Sequence, residues 1–242
     1  MISDIPKIFD SKYYDEKYFA DTEGKSFCRA ITNHWGYHNP EGEWLGCKPI
    51  VEAWKSIFNP KNILDVGCGR GTFIAYARDI DIAADGFDYS EWAIDNLYPR
   101  CKKEWVQVHD ATKKWPYPDK SFDLVTVVDL MEHIYIEDVD TVIDEAYRVA
   151  NKWVFFQIAT VKKGSDDKCY IIKKGEQVPI ELECCAVAGH ILVQTKQFWA
   201  AHILGREEWK TRPDLVVRFY KSVPSDVIDS WIQNTLIIME RE

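Results

Sequence analysis

The chain has 242 residues, 46% hydrophobic and 14% aromatic, which suits one soluble domain with a sizeable core. Its 30 basic and 39 acidic residues give a formal net charge of −9, which argues against a long nucleic-acid partner, whose phosphates ask for a basic footprint. No apolar run reaches the roughly 18 residues that span a bilayer, so no membrane partner is expected. The opening stretch MISDIPKIFDSKYYDEKYF is charged and aromatic and lacks the apolar centre of a signal peptide.

From Lys61 onward, strand and helix patterns alternate. NILDVG reads as a strand, GTFIAYARD as a helix and IAADGFD as a second strand. SEWAIDNLY is helical and opens on Ser90, a good N-cap. EWVQVHD alternates as a third strand, and KKWPYPDKS is a turn-rich loop. FDLVTVVDL is a continuous apolar run, as in a central parallel strand. DVDTVIDEAYRVA is helical, with Val139, Val142, Ile143, Ala146 and Val149 on one face, and KWVFFQIA is a fifth strand. This alternation predicts an α/β fold with helices on both faces of a parallel sheet.

The rhythm then changes. TKQFWAAHILG predicts a helix ending at Gly205, and DLVVRFY and NTLIIMER predict two strands joined by a short helical link, SDVIDSWIQ. The expected organisation is a single domain over 1–242. Residues 1–46 form an N-terminal lid or acceptor segment, 47–159 the core, 160–194 an insert, and 195–242 a C-terminal helix with edge strands. Ligands bind beyond the carboxyl ends of the strands in such sheets, a side that both outlying segments can reach. Seven cysteines at scattered spacings, with no CxxC pair, favour reduced thiols and a cytoplasmic setting.

The loop Asp65-Val66-Gly67-Cys68-Gly69-Arg70-Gly71 follows the first strand with GxGxG spacing. In a dinucleotide site, GxGxxG lays backbone amides against a pyrophosphate. A carboxylate at Asp65 would repel that group and suits a cation. S-adenosylmethionine carries an amino group and a sulfonium and has no phosphate; glycines then let the backbone approach it closely.

ILDVGCGRG resembles the first motif of class I S-adenosylmethionine-dependent methyltransferases. Further motifs follow in order: Asp88 in GFDYS, Asp110 in VHDAT, and FDLVTVVDLMEHI, which is similar to the fourth-strand motif. The resemblance covers residues 60–160. It implies a Rossmann-like, doubly wound α/β/α sandwich, with seven strands in the order 3-2-1-4-5-7-6 and the seventh antiparallel. It also implies S-adenosylmethionine as cofactor, held by Asp65, Gly67, Cys68 (through its backbone), Gly69 and Gly71 of the loop. Asp88 and Tyr89 then meet the ribose, Asp110 and Ala111 the adenine, and Asp129 and Leu130 border the methyl group. Taken singly, the loop is a tight turn, Asp88 an N-cap and Asp110 a turn residue.

Methyl transfer is an in-line displacement, so the protein chiefly aligns donor and nucleophile and sometimes removes a proton. Candidate catalytic residues are Glu132 and His133, after the fourth strand, and His190, after the insert. Asp129, Glu132, His133 and His190 are similar to the acid-plus-His metal site of small-RNA 2′-O-methyltransferases and of ubiquinone-pathway O-methyltransferases. That likeness implies a divalent metal, with Asp129 replacing the first Glu; the other reading is a brace and a proton acceptor. His34 and His38 make an H-x3-H pair, but Gly36 and Pro40 indicate a loop. Tyr13, Tyr14, Tyr18 and Phe19 either close over the cofactor or pack on the core. Cys184 and Cys185 read as buried thiols.

The expected function is methylation of an oxygen or nitrogen of a small molecule. Alternatives are a metal-dependent RNA or nucleotide 2′-O-methyltransferase and a non-catalytic protein that binds S-adenosylmethionine. A nicotinamide oxidoreductase is disfavoured by Asp65 and by the loop spacing. The sequence leaves oligomeric state open.

Overall fold

The first helix of the core, α1 (Cys47–Phe58), buries Ile50, Val51, Trp54 and Phe58, spaced three and four residues apart. It stops at Asn59, which takes a left-handed conformation and donates its N–H to the Lys55 carbonyl. The computed structural model describes residues 9–15, 18–19, 46–161, 169–176, 189–228 and 235–242. After α1 come β1 (Asn62–Val66), α2 (Thr72–Asp79), β2 (Ala83–Asp88), α3 (Glu91–Asp95), β3 (Val106–Val108), β4 (Phe122–Val128), α4 (Val139–Val149) and β5 (Ala150–Ile158). A small antiparallel pair follows, β6 (Tyr170–Ile171) with β7 (Leu192–Val193). The chain then runs through α5 (Lys196–Ile203), β8 (Trp209–Thr211), α6 (Pro213–Ser222), α7 (Ser225–Ile228) and β9 (Thr235–Arg241).

The main sheet has seven strands in the order β3-β2-β1-β4-β5-β9-β8. β1 to β5 pair in parallel, β9 runs antiparallel to β5, and β8 antiparallel to β9. With β8 and β9 as its sixth and seventh strands, this is the expected 3-2-1-4-5-7-6 order. The α/β/α layering follows from side-chain parity. On β5, Phe155 enters one core with Trp54, Ile74 and Phe219, while its neighbour Phe156 enters the other with Val127, Ile143 and Trp199. β4 sits between β1 and β5 and is covered on both faces, which explains its continuous apolar run.

Two expectations are corrected. DLVVRFY is not a strand but lies within α6, where Leu215 and Phe219, four residues apart, are buried and Pro213 occupies the first turn. Short apolar runs do not separate the two periods, and burial against the α1 layer decided for the helix. The sixth sheet strand is instead the three-residue β8. The third strand is also shorter than expected, since Glu104 and Trp105 lie in a 3-10 turn ahead of Val106. Of SDVIDSWIQ, the first four residues form α7, and 229–234 lie outside the described residues.

Gly86 on β2 lets α2 and the glycine loop close onto the sheet. A Cβ there would fall 2.6 Å from Ile74 Cδ1, 2.7 Å from the Asp65 carbonyl oxygen and 2.9 Å from Cys68 Cβ. The carbonyl is backbone and cannot swing aside. Gly86→Ala is therefore expected to cost about 1–3 kcal/mol of stability, read from the urea midpoint.

Candidate active site

The loop after β1 wraps the end of β2. The N–H groups of Gly67 and Cys68 both donate to the Phe87 carbonyl, at 2.9 and 3.0 Å, and Gly71 N–H donates to the Cys68 carbonyl at 2.9 Å. Gly71 has φ +77°, and a Cβ would lie 2.4 Å from Cys101 Sγ, so neither the conformation nor the space admits a side chain. Asp88, at the tip of β2, ties the site together. Its Oδ2 accepts from Gly69 N–H and its Oδ1 from Ser90 N–H, both at 2.8 Å. Ser90 in turn caps α3 by accepting from Ala93 N–H. At the tip of β3, Asp110 Oδ1 accepts from both the N–H and the hydroxyl of Thr112.

A cavity of about 460 Å³ opens at the carboxyl ends of these strands. Gly67, Gly69, Asp88, Tyr89, Asp110 and Ala111 border it on one side, and Asp129, Leu130 and His133 on the other. The remaining residues expected at the site stand off this wall. Cys68 turns its Cβ towards Gly86, and Gly71 faces Cys101. Asp65 is 3% exposed and sits beneath the loop, its Oδ1 accepting from the Thr126 hydroxyl at 2.8 Å. Its Oδ2 has no hydrogen-bond partner among the described residues. Asp65 therefore does not supply the charge at the mouth of the loop. Asp10, Asp88, Asp110, Asp129 and Asp138 supply it instead, against Lys113 and Lys174, which reach back to Asp110 (4.0 Å) and Asp138 (2.5 Å).

Burial pushes the Asp65 carboxyl up to about 7 from 3.8. Since the folded value lies above the unfolded one, the stability it contributes is complete below about pH 4 and lost as pH rises through 7. Asp65→Asn stays neutral throughout. It is expected to lose about 2–3 kcal/mol less stability than the wild type between pH 5 and 8, measured by urea unfolding at each pH.

Beyond β4 the backbone turns sharply. Asp129 takes φ +47°, unusual for a side-chain-bearing residue, and its N–H donates to the Gln157 carbonyl at 2.9 Å. Glu132 is fully buried; its Oε1 accepts from Ala159 N–H at 3.2 Å, and its carboxyl meets that of Asp129. Burial raises both acids, Asp129 to about 7, and the Asp129 charge adds to the rise at Glu132. The Gly189 carbonyl can only accept, so His133 Nδ1, 3.0 Å away, carries the hydrogen and Nε2 keeps the lone pair. The His190 ring lies 5.0 Å from the His133 ring and off the cavity wall. Burial lowers His133 to about 3 and His190 to about 4, and His190 adds to the drop at His133; both are neutral at pH 7. Glu132, His133 and His190 each bring a ligand atom within 4.8 Å of the others, whereas Asp129 is outside this set.

Tyr14, Tyr18 and Phe19 of the N-terminal segment border the cavity, with Phe19 stacked on Trp92. The Tyr14 hydroxyl lies 3.5 Å from His133 Nδ1, and the Ser90 hydroxyl donates to the Tyr14 carbonyl. Tyr13 packs instead beside Phe9, Ile172 and Ile191. Sequence reasoning missed Trp115, whose Nε1 donates to the Ala111 carbonyl at 2.9 Å, and Lys174 on the wall. No motif marks either. His34, His38, Cys184 and Cys185 lie outside the described residues.

Comparison with known proteins decides the family. Residues 38–202 match the model of a methyltransferase domain. The chain belongs to this family. It is a methyltransferase domain of class I, a family whose methyl donor is S-adenosylmethionine.

The methyltransferase is 35% identical over 98 residues to ajmaline N-methyltransferase of Rauvolfia serpentina, a match covering 38% of this chain and 33% of that enzyme. It is 29% identical over 139 residues to the ubiquinone biosynthesis O-methyltransferase of Thiobacillus denitrificans, covering 52% of this chain and 58% of that one. The chain thus spans only part of the length of these curated relatives. A solved Haemonchus contortus phosphoethanolamine N-methyltransferase 2 superposes with a TM-score of 0.58 at 15% identity, covering 96% of this chain and 60% of that one, which is a likeness of fold. The site of this methyltransferase fits the donor. Gly69 leaves the cavity floor bare, and Asp88 and Asp110 stand at adjacent strand tips, where a nucleoside presents hydroxyls and an amino group. The acid-rich wall disfavours a pyrophosphate.

Proposed function

We propose that this methyltransferase transfers a methyl group from S-adenosylmethionine to an oxygen or nitrogen of a small molecule. One observation carries the reading: a single cavity joins Asp88 and Asp110 to Asp129 and His133. The donor, when bound, supplies a methyl group already activated on a sulfonium. The chain's residues then position it. Asp88, fixed by two backbone N–H groups, accepts from the ribose hydroxyls, and Asp110 accepts from the adenine amino group. The surrounding carboxylates favour the cationic methionine end.

The tyrosines of the N-terminal segment narrow access for water and hold the acceptor in line. Among the groups on the wall, Asp129, raised to about 7, takes up a proton from the acceptor more readily than His133, lowered to about 3; His109 borders the same cavity. Glu132 and His190 stand behind them as positioning residues. The same excess of acids speaks against a polyanionic nucleic acid.

The test is incubation of the full chain with S-adenosylmethionine and a panel of small amines and phenols, with products read by mass spectrometry. A methylated amine or phenol, formed with S-adenosylhomocysteine in equal amount, is the expected result. Binding of S-adenosylhomocysteine with no methylated product across the panel would favour a non-catalytic donor-binding protein.

A further inference from the structure

We propose that the acceptor is an amine, bound and released as a cation, which the rings of Tyr14 and Tyr18 and the carboxylates of the cavity wall select over a phenol. The proposal rests on the methyltransferase reading above and names the nucleophile within it. The first observation is the ring arrangement. Tyr14 and Tyr18 line the cavity and meet edge to face, with centroids 5.0 Å apart and planes at 80°. Phe19 continues the corner, 4.9 Å from Tyr18 at 74°. The faces of such rings carry partial negative charge and attract ammonium groups. The same wall already holds one ammonium in this way: Lys174 Nζ lies 6.0 Å from the centre of the Tyr135 ring and 2.5 Å from Asp138 Oδ2.

The second observation is charge. Five aspartates on the wall face two lysines, and each lysine reaches to one of those aspartates. Both lysines are thereby engaged and neither is left to hold an oxyanion. The third concerns His133, which borders the same space. It gives its Nδ1 hydrogen to the Gly189 carbonyl at 3.0 Å, so Nε2 accepts a hydrogen bond and offers none. An amine N–H can supply that bond; a phenolate oxygen cannot.

The chemistry favours nitrogen for the same reasons. An ammonium ion drawn in from solution first gives one proton to water or to Asp129, which exposes the lone pair. That pair forms the new N–C bond as the S–C bond breaks. The electrons of the broken bond stay on sulfur, which leaves S-adenosylhomocysteine. The positive charge passes from sulfur to nitrogen, and the product leaves as an N-methylammonium ion. The reacting centre is thus cationic throughout, and the rings and carboxylates stabilise it at both ends. A phenol would instead have to become an anion among these carboxylates, which like charge opposes.

The test titrates the full chain, loaded with S-adenosylhomocysteine, with choline, with its uncharged carbon isostere dimethylbutanol, and with nitrophenolate. Choline is expected to bind at least about 10-fold more tightly than the isostere, and nitrophenolate most weakly. Tyr18→Phe keeps the ring and is expected to keep this gap, whereas Tyr18→Leu narrows it several-fold. Circular dichroism and S-adenosylhomocysteine affinity report on the fold of both variants. Equal affinity for choline and its isostere, no binding of choline, tighter binding of nitrophenolate, or an unchanged gap in a folded Tyr18→Leu chain would overturn the assignment. Donor binding is measured first and separates the two readings. A chain that binds the donor and does not prefer choline loses only the amine assignment. A folded chain that binds no donor loses the methyltransferase reading, and the amine assignment falls with it.

Discussion

Asp88→Ala weakens S-adenosylhomocysteine binding by about 10²–10³-fold in isothermal titration, equivalent to about 3–4 kcal/mol. Two causes add. The ribose hydroxyls lose a charged acceptor, and each hydrogen bond to a charged group is worth about 1.5–3 kcal/mol. Gly69 N–H and Ser90 N–H also lose the carboxylate that binds the loop after β1 to the start of α3. The variant's donor site is therefore both poorer and looser. Asp88→Asn keeps one oxygen and loses the charge, so its affinity falls between the two. Undiminished binding in Asp88→Ala, with the fold intact by circular dichroism, would remove the residue from the donor site.

Trp115→Ala lowers stability by about 3–5 kcal/mol, the usual cost of emptying a buried aromatic site. For a chain of this length that is a fall in Tm of about 6–20 °C, read by calorimetry. Trp115 is 1% exposed and meets the ring of Phe87 edge-on, with centroids 5.2 Å apart. Its backbone N–H donates to Glu145 Oε2 at 2.6 Å, and its indole N–H to the Ala111 carbonyl. The loss reaches function because Phe87 holds the glycine loop and Ala111 borders the cavity. Donor affinity is expected to fall several-fold along with the Tm. Trp115→Phe keeps most of the packing and loses the bond to Ala111, so its Tm drops less while its affinity still declines. A Tm within about 2 °C of the wild type in Trp115→Ala would contradict the packing described here.

The parallel half of the sheet was legible in the sequence because burial on both faces leaves a plain record, as in FDLVTVV, and because the glycine loop marks the first crossover. The edge was not. DLVVRFY carries both periods within seven residues, and Pro213, which favours a first helical turn, was the one local hint. The helix α1 precedes the alternating pattern, and its record in the sequence is the apolar spacing of Ile50, Val51, Trp54 and Phe58.

Within the site, Asp88 and Asp110 were readable because the last residues of adjacent parallel strands converge on one side. Asp65 was assigned to the mouth of the loop, but its carboxyl turns to Thr126 on β4, its partner in the strand register. Strand parity, which a motif does not encode, decides which way such a side chain faces. The approach of His190 to Glu132 and His133 spans more than 50 residues of sequence. No local pattern fixes it; the bonds of Gly189 and Ile191 to the turn after β4 do.

The central claim is that the acid-lined cavity beyond β1, β2 and β3 selects a phosphate-free, positively charged nucleoside. Calorimetric titration of the full chain with S-adenosylhomocysteine and, separately, with NADH tests it most directly. The expected result is saturable one-to-one binding of the thioether nucleoside and no measurable heat with NADH. Comparable affinity for NADH, or no binding of S-adenosylhomocysteine by a folded chain, would contradict it.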